Sequence, residues 1–244
     1  MNDNNNNNNT ASQKSPLGGG GIGIKAIIFD LDGTLLDSVA DIALANNSVL
    51  EVNGLPGHAV EKYIGFIGNG ARRLVQLSLP ENRAGDEKQI DFFLAAYKKA
   101  YMENIVVESK LYNGIPELLT ILNEKEIPLA INTNKPHDQT LLIAGKLLSA
   151  FKFEKIIGQR DKLPKKPNPQ GALQIAKELS LQPSEILFIG DSEVDVKTAL
   201  AAKVQLVCVT WGYSLKEEMV EAGCTHFVDS AEELKIFIEK RLIK

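Results

Sequence analysis

The chain has 244 residues, 44% of them hydrophobic, with a formal net charge of -4 and a mean hydropathy of -0.09. These are the values of an ordinary globular protein with room for one large domain or a core plus an insert. A sequence pI of about 5.5 excludes the basic footprint of a nucleic-acid binder, and no apolar run approaches the roughly 18 residues that span a bilayer. Cys208 and Cys224 are too few for a disulfide framework, so a reducing cytoplasm is the expected compartment.

The chain opens on MNDNNNNNNTASQKSPLGGGGIG, which has neither the basic n-region nor the apolar h-region of a signal peptide. Its asparagine and glycine runs bury too little apolar surface to offset chain entropy, so residues 1–23 are expected to form a disordered low-complexity tail. The glycine run is no phosphate loop, because no Gly-Lys-Ser/Thr follows it.

From Lys25 onward, short apolar runs alternate with helical periods. The runs KAIIF, IPLAIN, EKIIG, EILFIG, LVCVT and THFV read as strands. NGIPELLTILNEKE, HDQTLLIAGKLLSAF, NPQGALQIAKELS and VDVKTALAAK carry apolar residues near i, i+3, i+4 and i+7 and read as helices. That alternation predicts a parallel sheet covered by helices. Residues 38–107 break it. They hold no convincing strand, only helical faces such as Val39, Ile42, Ala43, Val49, Leu50 and Ile90, Phe93, Leu94, Tyr97, Tyr101. The predicted architecture is an α/β, Rossmann-like doubly wound parallel sheet core over 24–37 and 108–244, with an inserted all-helical subdomain over 38–107.

Ligands of open parallel sheets bind at the carboxyl ends of the strands. The first strand closes on Asp30 and Asp32, IPLAIN runs into Thr133, Asn134 and Lys135, and EILFIG into Asp191, Ser192 and Asp195; the basic loop Lys165-Lys166-Pro167 precedes that last strand. Each residue also has a plain structural explanation. Asp32-Gly33 is a turn dipeptide, Ser192 with Asp195 resembles a capping box, Thr133 suits a helix cap, and Lys166 suits a solvated loop. Period 2 would nevertheless aim both Asp30 and Asp32 at one crevice. A cluster of these carboxylates would suit a hard cation such as Mg2+.

The ordered set DLDGT (Asp30 to Thr34), Thr133, Lys166 before Pro167, and GDSEVD (Gly190 to Asp195) resembles the haloacid-dehalogenase-like hydrolases, over essentially everything after the tail. DLDGTLLDS, IGNGA (Ile67 to Ala71), TNKP (Thr133 to Pro136) and KKPNP (Lys165 to Pro169) are similar to the phosphoglycolate phosphatase branch. The resemblance implies a magnesium-dependent phosphatase acting on a small phosphate monoester, 2-phosphoglycolate. Asp30 would be the nucleophile and form an aspartyl-phosphate, and Asp32 the general acid and base. It implies Mg2+ held by Asp30, the Asp32 carbonyl and Asp191, with Asp195 in support. Thr133, Lys166 and the amides around Leu31 and Asn134 would cradle the phosphoryl group. The helical insert would act as a cap, with Gly68, Asn69 and Gly70 over the crevice and Arg72 or Arg73 reaching a substrate carboxylate.

Departures from the branch touch loops. Asn168 stands where related sequences often carry His or Asp, and Tyr112-Asn113-Gly114 lacks a common proline. A capped phosphatase or phosphomutase acting on a sugar phosphate, nucleotide or pyrophosphate is the alternative. A phosphoryl-accepting signalling receiver would share the strand-end acids but is about half this length. The expected partner is a small phosphate ester alone, with neither nucleic acid nor membrane, on a monomer or homodimer.

Overall fold

The computed structural model describes residues 23–242; the expected tail lies outside them apart from residue 23. In chain order the elements are β1 (Ala26–Phe29), β2 (Leu36–Asp37), α1 (Val39–Val52), α2 (Val60–Ile64), α3 (Ala71–Ser78), α4 (Glu81–Ala84), α5 (Glu87–Glu103) and β3 (Lys110–Leu111). Then follow α6 (Ile115–Glu124), β4 (Leu129–Pro136), α7 (His137–Leu147), β5 (Lys155–Gln159), α8 (Gln170–Glu178), β6 (Ile186–Gly190), α9 (Glu193–Ala202), β7 (Gln205–Val209), α10 (Lys216–Glu221), β8 (Phe227–Val228) and α11 (Ala231–Glu239).

The main sheet has the order β5-β4-β1-β6-β7-β8, and every pairing in it is parallel. It is doubly wound: the chain builds outward from β1 through β4 to β5, then returns to the other side of β1 and builds β6 to β8. The switch point therefore lies at β1, between β4 and β6. All six expected strands are present. Their buried side chains alternate between two apolar layers. Ile27, Phe29, Leu187 and Ile189 pack with α6, α7 and α11, while Ala26, Ile28, Ile186 and Phe188 pack with α8, α9 and α10. That is the period of two expected where helices cover both faces of a sheet.

Two strands escaped sequence reasoning. β2 and β3 are two residues each and pair antiparallel, Leu36 with Leu111 and Asp37 with Lys110, too short for any periodic signal. They join the segments by which the chain enters and leaves α1–α5. Asp41 sews the same seam from the first turn of α1. Its carboxylate, 2% exposed, accepts bonds from the amides of Val107, Glu108 and Ser109 and from Ser109 Oγ. The grip holds down a return linker in which Val106, a β-branched residue, sits at φ +65°. α10 and α11 were also not among the expected helices. α10 buries only Met219, so it carries no apolar stripe to read.

Within α1–α5, the faces expected from spacing are the buried ones: Ile42, Ala43, Val49 and Leu50 on α1, and Ile90, Phe93, Tyr97 and Tyr101 on α5. α1 and α5 pack along each other and α3 packs on α5.

Candidate active site

At the carboxyl end of β1 the Asp30 amide donates to Ile189 O of β6 at 2.9 Å, which ties the aspartate to the switch point. There the buried carboxylates of Asp30, Asp191 and Asp195 converge, with one oxygen from each lying within 4.8 Å of the others. Lys166 enters between them. Its Nζ donates to Asp195 Oδ1 at 2.6 Å and lies 2.8 Å from Asp30 Oδ1. That second contact is an ion pair, and Asp30 Oδ1 has no further hydrogen-bond partner. Asn134 clamps the lysine's own backbone, with Oδ1 accepting from Lys166 N at 2.7 Å and Nδ2 donating to Lys166 O at 3.0 Å.

Two glycines let the cluster close. Gly33 has φ +87°, and a Cβ there would lie 2.1 Å from Asp191 Oδ2; one at Gly212 would lie 2.3 Å from Asp191 Cβ. Neither position has room for a side chain, and at Gly33 the backbone would also resist one.

Structural and chemical roles coexist in the last acidic motif. The capping box at the start of α9 is real, with Ser192 Oγ accepting from Asp195 N and Asp195 Oδ2 accepting from Ser192 N and Oγ. It occupies only Oδ2, and Oδ1 is the oxygen that meets Lys166. Asp191 is oriented from both sides, by Thr34 Oγ1 at 2.9 Å and by the Tyr213 amide at 2.8 Å.

Lys166 pairs with two of the three buried carboxylates, Asp30 and Asp195, and Asp191 stands beside them with no ion pair of its own among the described residues. Burial pushes Asp30 up to about 7, with Lys166 pulling against it and Asp195 adding to the rise. Asp191 is raised well above the carboxylate range by burial and by Asp195 and Asp30. Burial opposes the charge on Lys166, but Asp195 and Asp30 outweigh it and hold its pKa above the usual lysine value. The donor set is all carboxylate oxygen, and three buried acids gather around a single ammonium, so added positive charge would favour their ionised forms. These residues fit a hard metal ion.

Asp32 has a separate partner that sequence reasoning did not assign. Lys135 Nζ bonds Asp32 Oδ1 at 3.0 Å and Oδ2 at 3.1 Å, and Ser38 Oγ donates to Oδ1 at 2.6 Å. Lys135 is buried and lies 4.7 Å from the Tyr101 ring centroid. A signal existed, since Lys135 stands two residues from Thr133 along one strand, but a lysine at a strand end is usually solvated. β4 also loses register with β5 between Asn132 and Pro136, and such irregularities re-aim side chains beside sites. Tyr213 and Trp211 brace the seam, Tyr213 OH accepting from the amides of Ser38 and Val39 and Trp211 Nε1 donating to Thr34 O.

The helical block closes over this edge. Gly68, Gly70, Ile67, Ala71 and Leu74 face Asp30, Asp32, Thr133, Asn134, Lys135 and Gln139 across a cavity of about 50 Å³. Backbone atoms hold the loop down, with Asn134 Nδ2 donating to Gly68 O at 3.0 Å and Lys165 Nζ to Asn69 O at 2.8 Å. Asn69 itself faces a neighbouring crevice with Ser192 and Tyr213. The arginines turn away. Arg73 is exposed and bonds Gln76 at 2.8 Å, while Arg72 pairs with Glu87 and Asp91 on α5.

A profile of the family described as "Haloacid dehalogenase-like hydrolase" matches residues 27–209. The chain is 35% identical over 222 residues to a phosphoglycolate phosphatase of Nitrosospira multiformis, covering 89% of this chain and 96% of that one. It is 34% identical to phosphoglycolate phosphatase 1 of Pseudomonas aeruginosa, over 86% and 78% of the two chains. Among solved structures, a haloacid dehalogenase-like family hydrolase from Streptococcus pneumoniae superposes with a TM-score of 0.78 at 25% identity, over 88% of this chain and 98% of that one. The motifs, the doubly wound sheet and these relatives agree: the chain belongs to the haloacid dehalogenase-like hydrolase family.

Proposed function

We propose that the chain is a phosphatase that hydrolyses a small phosphate monoester, 2-phosphoglycolate, to glycolate and phosphate through an aspartyl-phosphate on Asp30. The observation that carries this reading is the buried cluster of Asp30, Asp191 and Asp195 around Lys166 at the strand ends. The substrate comes from the names of the relatives.

The carboxylates of Asp30 and Asp191 and the backbone carbonyl of Asp32 would hold Mg2+, with Asp195 in support. The bound ion would supply positive charge against the phosphoryl oxygens. Asp30 attacks phosphorus and the bond to the ester oxygen breaks. Asp32 gives that oxygen a proton, then takes one from the water that attacks the aspartyl-phosphate, and phosphate leaves with Asp30 regenerated. Lys166 offsets charge on Asp30 and on the phosphoryl group. Thr133 Oγ1 already accepts from the Lys135 amide, so its proton is free for a phosphoryl oxygen, and the amides of Leu31 and Asn134 complete the cradle.

Residues 38–107 serve as the cap that excludes water, with Gly68, Asn69 and Gly70 as its contact loop. Arg73 has no substrate role in this proposal, because its side chain is turned to Gln76. The test is phosphate release from 2-phosphoglycolate beside sugar phosphates and nucleotides, with Mg2+ and with EDTA. Metal-dependent turnover favouring 2-phosphoglycolate is expected; turnover that favours other esters would reassign the substrate, and turnover untouched by EDTA would remove the metal.

A further inference from the structure

The wall of the cavity beside Asp32 is rich in donors and poor in acceptors. Among the described residues, Lys135 is the one cationic side chain lining the cavity. An ammonium has three N–H donors, and two of its contacts here are spent on the Asp32 oxygens. Two neighbouring donors lack acceptors altogether: Gln139 Nε2, on the same wall, and Tyr101 OH, whose ring lies beneath Lys135 Nζ. Buried donors without acceptors are rare in folded proteins and call for an explanation. The other side of the cavity, formed by Ile42, Ile67, Ala71, Leu74 and Tyr97, offers no side-chain charge to a ligand, its one polar side-chain atom among the described residues being the Tyr97 hydroxyl.

We propose that Lys135, assisted by Gln139, is the specificity-determining residue that takes a carboxylate on the leaving group. The assignment rests on the phosphatase reading above and deepens it. With Lys135 holding Asp32 and the substrate carboxylate together, the ester oxygen is delivered to the side chain that protonates it. A neutral leaving group would leave the third ammonium donor and the Gln139 amide unanswered in a buried place, and unanswered polar groups of this kind are what make sites reject the wrong substrate. Other cations near the cap loop are engaged elsewhere, the arginines of α3 with Gln76, Glu87 and Asp91 and Lys165 with Asn69 O.

The experiment measures kcat/KM for two matched pairs, 2-phosphoglycolate with ethyl phosphate and 3-phosphoglycerate with glycerol 3-phosphate, in the native chain and in Lys135→Met, Lys135→Arg and Gln139→Leu. All turnover slows in Lys135→Met, because Asp32 loses its partner, so the readout is the ratio within each pair. The carboxylate preference is expected to fall about 100-fold in Lys135→Met, the scale of one buried charge pair, to survive in part in Lys135→Arg, and to fall about threefold to tenfold in Gln139→Leu, the scale of one hydrogen bond. Gln139→Leu removes a donor that has no partner, so it keeps the test open if Lys135→Met fails to fold. Ratios unchanged in the variants that fold would overturn the proposal while leaving 2-phosphoglycolate as the substrate. A native chain that prefers the other carboxylated ester, with a Lys135-dependent ratio, would sustain the proposal and displace 2-phosphoglycolate.

Discussion

The core side of the site is made of side chains that reach across neighbouring strand ends, whereas the helical wall is made of mostly apolar side chains, the Tyr97 ring and backbone carbonyls. On the core side, Asp30, Thr133, Lys166 and the pair Asp191 and Asp195 come from four segments of the same sheet edge, and Lys166 ties Asp30 to Asp195. On the helical side, Gly68 and Asn69 are held through their carbonyls by Asn134 and Lys165. The contrast teaches where specificity of sequence is needed. A charge cluster fixes the identity of every member, while a backbone contact accepts many residues at the same position.

Substitutions can break the comparison from the core outward. The largest effect is expected for Asp30→Asn, which removes the attacking oxygen and should lower kcat by at least about 10⁴-fold in steady-state phosphate release. Next is Lys166→Met. It leaves Asp30 and Asp195 buried without their ammonium and should cost about 3–5 kcal/mol in urea denaturation; an unchanged midpoint would mean that the cluster carries no net charge in the folded protein.

The seam between the walls should respond less. Asp41→Ala strips the acceptor from three amides and a hydroxyl and is expected to lose about 3 kcal/mol, with kcat and KM both disturbed because the return linker loosens. The same carboxylate predicts a pH dependence. Burial alone would raise its pKa, but the bonds from Ser109, Glu108 and Val107 outweigh that and hold it below the usual carboxylate value. Its contribution is therefore complete above the unfolded pKa of about 3.9 and is lost as pH falls below it toward the lower folded value. Acid melts of the native chain and of Asp41→Ala should converge in that window and not at neutral pH. The smallest effect belongs to Lys165→Ala on the helical side. It removes one exposed bond to Asn69 O, worth about 0.5–1 kcal/mol, and should raise KM by no more than about fivefold.

The sheet was legible because six apolar runs have no other use for their period, and the core acids were legible because they close those runs in a fixed order. The Lys135–Asp32 pair was not. Lys135 lies in a stretch where β4 loses register with β5, and nothing in TNKP says that its ammonium turns inward to meet the first strand. Asp41 was equally silent, because an aspartate in the first turn of a helix already has a local reason to be there; its true partners are more than sixty residues away. Arg72 and Arg73 illustrate the converse. Their position after the cap loop suggested a carboxylate contact, but acids on α5 and a neighbouring glutamine claim them first. Sequence spacing locates such cations and cannot rank competing partners.

The most direct measurement is an acid-quenched single turnover of 2-phosphoglycolate with Mg2+, followed by peptide mass mapping. The account predicts a phosphoryl group on the peptide that contains Asp30, appearing before phosphate release and absent from Asp30→Asn. Full turnover with no phosphorylated peptide at any time, or an Asp30→Asn protein that still releases phosphate at the native rate, would contradict it.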